Sequence, residues 1–592
     1  MKAKRIFLAI LAIVGVWAGN RISWQVRTDH EAGLDLSQIL ERALNALTNN
    51  PFSFSFDKTD LLASLGVLLV GGFIALYMTI GKGTRRPGEE YGSARWGKPS
   101  DIKPFTSKKT NENLLFTKTE RLGLDGRATH RNLNVLVLGG SGSGKSRRYV
   151  LPNLAQTNQS FIITDPKGEL RSMAGDILKD AGYKIRCLDL VDFDKSNHFN
   201  PLRYIHSEQP EVGLSVLVEN IMTNTSSAKQ QTSGDFWEKA ERALLTALTS
   251  YVYFTQGASG TLLDVVDLLA KMEASEEDET QLSEVDQLFT AAVSLIAEYD
   301  ADPDGWGAEA IASIEGLRFA SAAYRTYTQG AGETKKSVII SLGVRLTPLT
   351  MSNMRRLLSQ DTMDLDMVGQ EKTALFLVLP DTHGAFNFLA SIFYEQLFET
   401  NLYLADHRDD RFLPVPIHAL MDEFANIGKI PGFVQKIAVM RSRGISVSVI
   451  LQNRAQGKAQ YKDEWESIEG NCDNILFLGG QEPSTTAWLA KLLGKQTIQN
   501  QNTSETRGKN GSWSKQNQTL GRELLTPDEI GKLDDELAIY LLRGVPPFLS
   551  RKLDTPTTGH FTYDPDAEIN EILDGLDITW EPLPDNADLV AI

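Results

Sequence analysis

The octapeptide at residues 139–146, GGSGSGKS, has the residue types and spacing of a loop that cradles phosphates. Gly139, Gly140, Gly142 and Gly144, with Ser141 and Ser143 between them, leave the backbone free to wrap its N–H groups around an anion. Lys145 is then placed to neutralise β and γ phosphates, and Ser146 to offer its hydroxyl to Mg²⁺. Asp422 and Glu423 end a strand-like run and supply the complementary acids. Asp422 suits a water-mediated hold on Mg²⁺, and Glu423 suits polarisation of an attacking water. Acids at a strand end also serve as helix caps, so this pair gains its meaning from the glycine-rich loop. Gln452 closes another apolar strand, where its amide can sense a γ-phosphate. Arg441 precedes that strand. It reads either as a surface ion-pairing arginine or as one offered to a neighbouring subunit's transition state.

Positioning such groups requires a parallel sheet. The apolar run 132–138 ends in the glycines, and a helical pattern follows. Residues 161–164 and 183–190 are further strands, each after a helix, which implies a sheet covered on both faces. Between 205 and 333 the chain reads as helix after helix, with an acidic run at 276–279. Strands resume at 373–379, 418–421, 446–451 and 474–478. The expected fold is α/β: a nucleotide-binding domain of residues 131–204 and 334–560 carrying an inserted all-helical domain of residues 205–333. Residues 496–518, rich in Asn, Gln, Ser and Thr, are expected to form a mobile loop. Residues 561–592 carry many acids and no Lys or Arg, as a solvated tail or a docking segment.

With 592 residues the chain should hold more than one folded unit. A net charge of −16 argues against a protein that coats nucleic acid with its whole surface, though not against a local basic channel. Two cysteines, Cys187 and Cys472, cannot make a disulfide framework, which fits a reducing compartment. Two apolar segments lie near the start. Residues 6–19 follow Lys2, Lys4 and Arg5, and taken alone also fit a signal peptide. Residues 61–80 reach the roughly 20 residues that a bilayer crossing needs, and Lys82, Arg85 and Arg86 follow. A buried core helix is the other reading of that segment. The flanking positive charges favour a transmembrane hairpin over residues 1–83, with both ends in the cytoplasm and residues 84–130 as a juxtamembrane linker.

Taken together, these motifs resemble the type IV secretion coupling proteins, the TraG/TraD type of conjugal-transfer ATPase. The resemblance covers most of the chain. It runs through GSARWG at 92–97, the phosphate loop, TDPKGEL at 164–170, FNPL at 199–202 and DFW at 235–237. It continues through LPD at 379–381, FNF at 386–388, LMDEFANIG at 420–428, Gln452, RELL at 522–525 and LLRGVPP at 541–547. It implies a hexamer of RecA-like P-loop domains at the plasma or inner membrane, with ATP and Mg²⁺ as cofactors. Lys145, Ser146, Asp422 and Glu423 fall in its nucleotide site, Arg441 at its trans-acting arginine finger and Gln452 at its γ-phosphate sensor. The implied partners are single-stranded DNA with a bound relaxase, the components of the secretion channel, and the membrane. The inserted helices resemble the domain that recruits substrate at the ring's entrance. The acidic insertion segment and short acidic tail depart from the family pattern, and they bear on how partners are recognised. Two rival readings are a motor for chromosomal double-stranded DNA and a nucleotide-gated receptor for protein substrates. Two apolar spans and an acidic tail disfavour the first. Retention of Lys145, Asp422, Glu423 and Arg441 together disfavours the second, since a switch could survive loss of Glu423.

Overall fold

In the computed structural model the described residues are 2–48, 53–80, 86, 88–225, 235–273, 282–506 and 512–554. The acidic run at 276–279 and the tail at 561–592 lie outside them. The chain divides into two compact units, residues 1–93 with 497–521, and the remainder.

The first unit holds helices α1 (Lys2–Glu31), α2 (Leu36–Asn45) and α3 (Lys58–Ile80). α1 and α3 pack closely because α1 presents glycine to α3. A Cβ at Gly19 would lie 2.8 Å from Val67 Cγ2. The apolar stretch of α1 gives way at Asn20, whose side-chain amide accepts from the Ser55 backbone at 2.8 Å and donates to its carbonyl at 3.0 Å. Buried Asp60 accepts from the Ser55 hydroxyl at 2.6 Å and from Arg27 at 3.0 Å. Ile13, Leu69, Val70 and Phe73 remain exposed on the two helices. Among the described residues no helix is long and apolar enough to cross a membrane. The expected helical pair is present, and its expected span is not shown. The reason on α1 is that polar, hydrogen-bonded side chains interrupt the apolar run. In place of the loop expected at 496–518, strands Lys495–Thr506 and Ser512–Glu523 pair into a two-stranded sheet. Polar composition hid this, because pairing satisfies the backbone whatever the side chains are.

The second unit is built on a nine-stranded sheet. Its strands are β1 (Val135–Leu138), β2 (Ser160–Thr164), β3 (Lys184–Asp189), β4 (Thr373–Val378), β5 (Ile417–Met421), β6 (Ile445–Leu451), β7 (Asn474–Phe477), β8 (Leu537–Leu542) and β9 (Phe548–Arg551). Their order is β9-β8-β7-β1-β6-β5-β2-β4-β3. β7 through β3 are parallel, while β8 and β9 add antiparallel at one edge, so the sheet is mixed. β1, β2, β4, β5 and β6 are buried at every residue. This explains their largely apolar sequences, since helices cover both faces of a parallel sheet. The buried polar exceptions on β5 and β6 pair with each other, His418 with the Ser446 and Ser448 hydroxyls.

Residues 94–130, expected as a linker, fold against this sheet from Ala94 onward. A short antiparallel pair, Asn113–Leu115 with Arg121–Gly123, buries Leu114 and Leu122 in the core. The Leu115 N–H donates to Asn153 Oδ1 at 2.8 Å, which ties the pair to the helix after the glycine-rich loop.

The helical run extends past Glu333, through Gly332–Leu346 and Ser352–Leu358, before β4 begins. It shares one continuous hydrophobic core with the sheet. Helices Asp235–Gln256 and Ala308–Thr328 pack tightly, and a Cβ at Gly316 would collide with the Phe254 ring. Arg345 Nε donates to Glu241 Oε2 at 2.6 Å, with both side chains buried. Removing one partner of such a pair strands a charge in the core. Glu241→Ala should therefore cost about 3–5 kcal/mol, read as a lowered denaturant midpoint.

Candidate functional site

Three strands deliver the predicted residues to one edge. β1 leads into the glycine-rich loop, β5 ends at Asp422 and Glu423, and β6 ends at Gln452. β6 pairs with both β1 and β5, with Leu138 opposite Leu451 and Met421 opposite Val449. The residues that follow these pairs therefore emerge side by side at the C-terminal edge of the parallel sheet. This is the edge where open α/β folds hold ligands.

Gly142 and Gly144 take φ of 79° and 92°, backbone that a side chain would strain. A Cβ at Gly139 would run into Ser143 Oγ. Lys145 is nearly buried, and its Nζ donates to the carbonyls of Gly139 at 2.9 Å and Gly140 at 3.4 Å. The same Nζ lies 3.8 Å from Glu423 Oε1. The Ser146 hydroxyl donates to Asp422 Oδ2 at 2.5 Å. Burial pushes the Asp422 carboxyl above its usual range, against the hydrogen bond from Ser146 and the charge of Lys145. Glu423 sits at φ 50°, a left-handed conformation rare for a residue with a Cβ. Its N–H donates to Asp422 Oδ1 at 3.0 Å, which fixes the turn. Gln452 Nε2 donates to both Glu423 oxygens at 3.3 Å. Lys145, Ser146, Asp422, Glu423 and Gln452 thus form one connected set.

Arg441 is not part of it. It is exposed, and its Nη2 donates to the Gly126 carbonyl at 2.7 Å. It precedes β6, whereas Gln452 follows it. The seven residues of β6 put roughly 20 Å or more between them. No rotamer of Arg441 spans that distance to its own chain's loop.

The residues fit a magnesium-bound nucleotide. Ser146 and Asp422 supply the hard oxygen groups that Mg²⁺ prefers. Among the described residues, the buried Ser143 Oγ inside the loop has no hydrogen-bond partner.

Comparison with known proteins follows the same line. A match to the family described as Type IV secretory system Conjugative DNA transfer spans residues 95–554. The chain belongs to this family. It is 24% identical over 427 residues to the conjugal transfer protein TraG of Rhizobium radiobacter, covering 70% of this chain and 60% of that protein. It is 21% identical to the protein VirD4 of Rhizobium rhizogenes, over 71% of this chain and 58% of that one. The chain thus spans less than two thirds of the length of these curated relatives. Among solved structures, the bacterial conjugative coupling protein TrwBdeltaN70 superposes with a TM-score of 0.54 at 15% identity, covering 79% of this chain and 94% of that one. The plasmid coupling protein TrwB in complex with the non-hydrolysable ATP analogue ADPNP gives a TM-score of 0.54 over the same shares. A mixed central sheet with added helices is the fold this chain shares with them.

Two parts of the site were missed in the sequence. Arg148, just past the loop, forms a two-pronged ion pair with Glu536, 2.7 Å on each arm. Lys552, directly after β9, donates to the Ser143 carbonyl at 2.9 Å. Neither carries a motif signal, because both depend on where the antiparallel edge strands return.

Proposed function

We propose that this coupling protein is a membrane-anchored hexameric P-loop ATPase, in which a RecA-like domain drives relaxase-bound single-stranded DNA into a type IV secretion channel. The observation that carries this reading is the connected set Lys145, Ser146, Asp422, Glu423 and Gln452 at one sheet edge. Mg²⁺ and ATP would supply the charge to be neutralised and the bond to be broken. Lys145 would leave the Gly139 and Gly140 carbonyls and Glu423 for the β and γ phosphates. Ser146 and Asp422 would hold the metal, directly and through water. Glu423 would then be free to polarise a water, with Gln452 keeping its carboxylate aimed and reporting on the γ-phosphate. Arg441, out of reach of its own site, suits the neighbouring subunit's site, which is the reason to favour a ring.

The parse into domains is proposed as residues 131–204 with 334–560 for the ATPase part and 205–333 for substrate recruitment. The apolar outer faces of α1 and α3 support membrane anchoring through residues 1–83. The sheet-bearing unit would lie in the cytoplasm.

The test is ATP hydrolysis by the full chain in detergent or lipid, with and without single-stranded DNA. Stimulation by DNA is expected. Hydrolysis indifferent to DNA would overturn the motor and move the weight to a nucleotide-gated receptor for protein substrates.

A further inference from the structure

The antiparallel hairpin at the sheet edge holds the glycine-rich loop at Ser143 and the chain just past it at Arg148. Lys552 follows β9, and its N–H donates to the Glu536 carbonyl at 2.8 Å. The Glu536 carboxylate holds Arg148, two residues past Ser146. Asp554 holds Lys118 at 2.6 Å. Lys552 itself is 2% exposed, and its ammonium donates to the Ser143 carbonyl. A lysine is seldom placed so deep unless its charge or its hydrogen bond has a use. Burial, and then the neighbouring Arg148 guanidinium, hold its pKa below the ordinary lysine range.

Peptide geometry gives the contact its consequence. The Ser143–Gly144 bond is trans, so its C=O and N–H lie in one plane and point in opposite directions. Tying the Ser143 carbonyl to Lys552 therefore commits the Gly144 N–H to the side away from Lys552. Gly144 has φ 92°, and with glycine on one side of the bond the plane can rotate at little steric cost. From outside the loop, Lys552 restrains that plane through its donation to the Ser143 carbonyl.

We propose that Lys552 is a positioning residue that acts through Ser143 to keep the Gly144 N–H aimed at the polyphosphate. This rests on the nucleotide-binding reading above. The contact is made by the loop to ground state and transition state alike, so its loss should appear in binding rather than in turnover.

The experiment measures binding of Mg²⁺ with ADP, and steady-state ATP hydrolysis, for Lys552→Met, Lys552→Gln and Lys552→Arg in the full chain. Lys552→Met should weaken Kd and raise KM by roughly ten- to hundredfold, with kcat changed by less than about threefold. Gln and Arg can still donate to Ser143 and should stay within about threefold of the parent. A Lys552→Met variant that binds like the parent overturns the proposal, as does a Gln variant as weak as Met. If Lys552→Met fails to fold, the Gln and Arg variants decide alone. Both must fold and bind within threefold, and a tenfold loss in either overturns the proposal. Lys145→Ala is the control. If it too binds normally, the nucleotide reading has failed, whereas loss there with no change at Lys552 sinks only this inference.

Discussion

Glu423→Gln is expected to cut ATP turnover by about 10²–10⁴-fold while leaving nucleotide binding nearly intact. Glutamine keeps the size of the side chain and an oxygen for Gln452, so the geometry at 3.3 Å can persist. What it loses is the charge that polarises water. The ion pair with Lys145 at 3.8 Å also goes, which frees the ammonium for phosphate. Binding should therefore hold or tighten slightly while kcat collapses. Single-turnover hydrolysis beside a binding titration checks this. Parallel loss of binding and turnover would mean that Glu423 shapes the loop instead, through its turn at φ 50°.

Arg441→Ala should lower turnover by about 10³-fold or more with nucleotide affinity unchanged. The reason is the distance along β6, which keeps this guanidinium from its own loop. Mixing Arg441→Ala with Lys145→Ala should recover part of the activity. Some interfaces then combine an intact loop from one chain with an intact arginine from another. Neither variant alone can make such an interface. Activity that never returns on mixing, over a range of ratios, would assign Arg441 to its hydrogen bond with Gly126 and to structure alone.

Both predictions use residues that are legible in the chain because local physics constrains them. A phosphate loop needs glycines at fixed offsets and a lysine beside a hydroxyl, so 139–146 stands out as a candidate without a fold. The buried strands are legible for a similar reason, since a sheet covered on both sides favours largely apolar runs. Gln452 and Asp422 could be singled out as candidates because each directly follows a buried strand.

Other features needed the tertiary structure. Polar composition at 496–518 suggested a loop, yet the backbone of the described residues pairs into strands. Residues 94–130 carry no strong periodicity, and their burial comes from docking on the helix after the phosphate loop. The N-terminal helices were visible as apolar runs, but the hydrogen bonds of Asn20 and Asp60 arise only when α1 meets the segment around Ser55. Lys552 and Glu536 stand about 400 residues from the loop they grip. The sequence by itself determined which residues are candidates for chemistry, through short motifs whose spacing is fixed by bonds and steric limits. Only the tertiary structure decided which distant charges hold that chemistry in place, because edge-strand pairing is non-local and leaves no periodic trace.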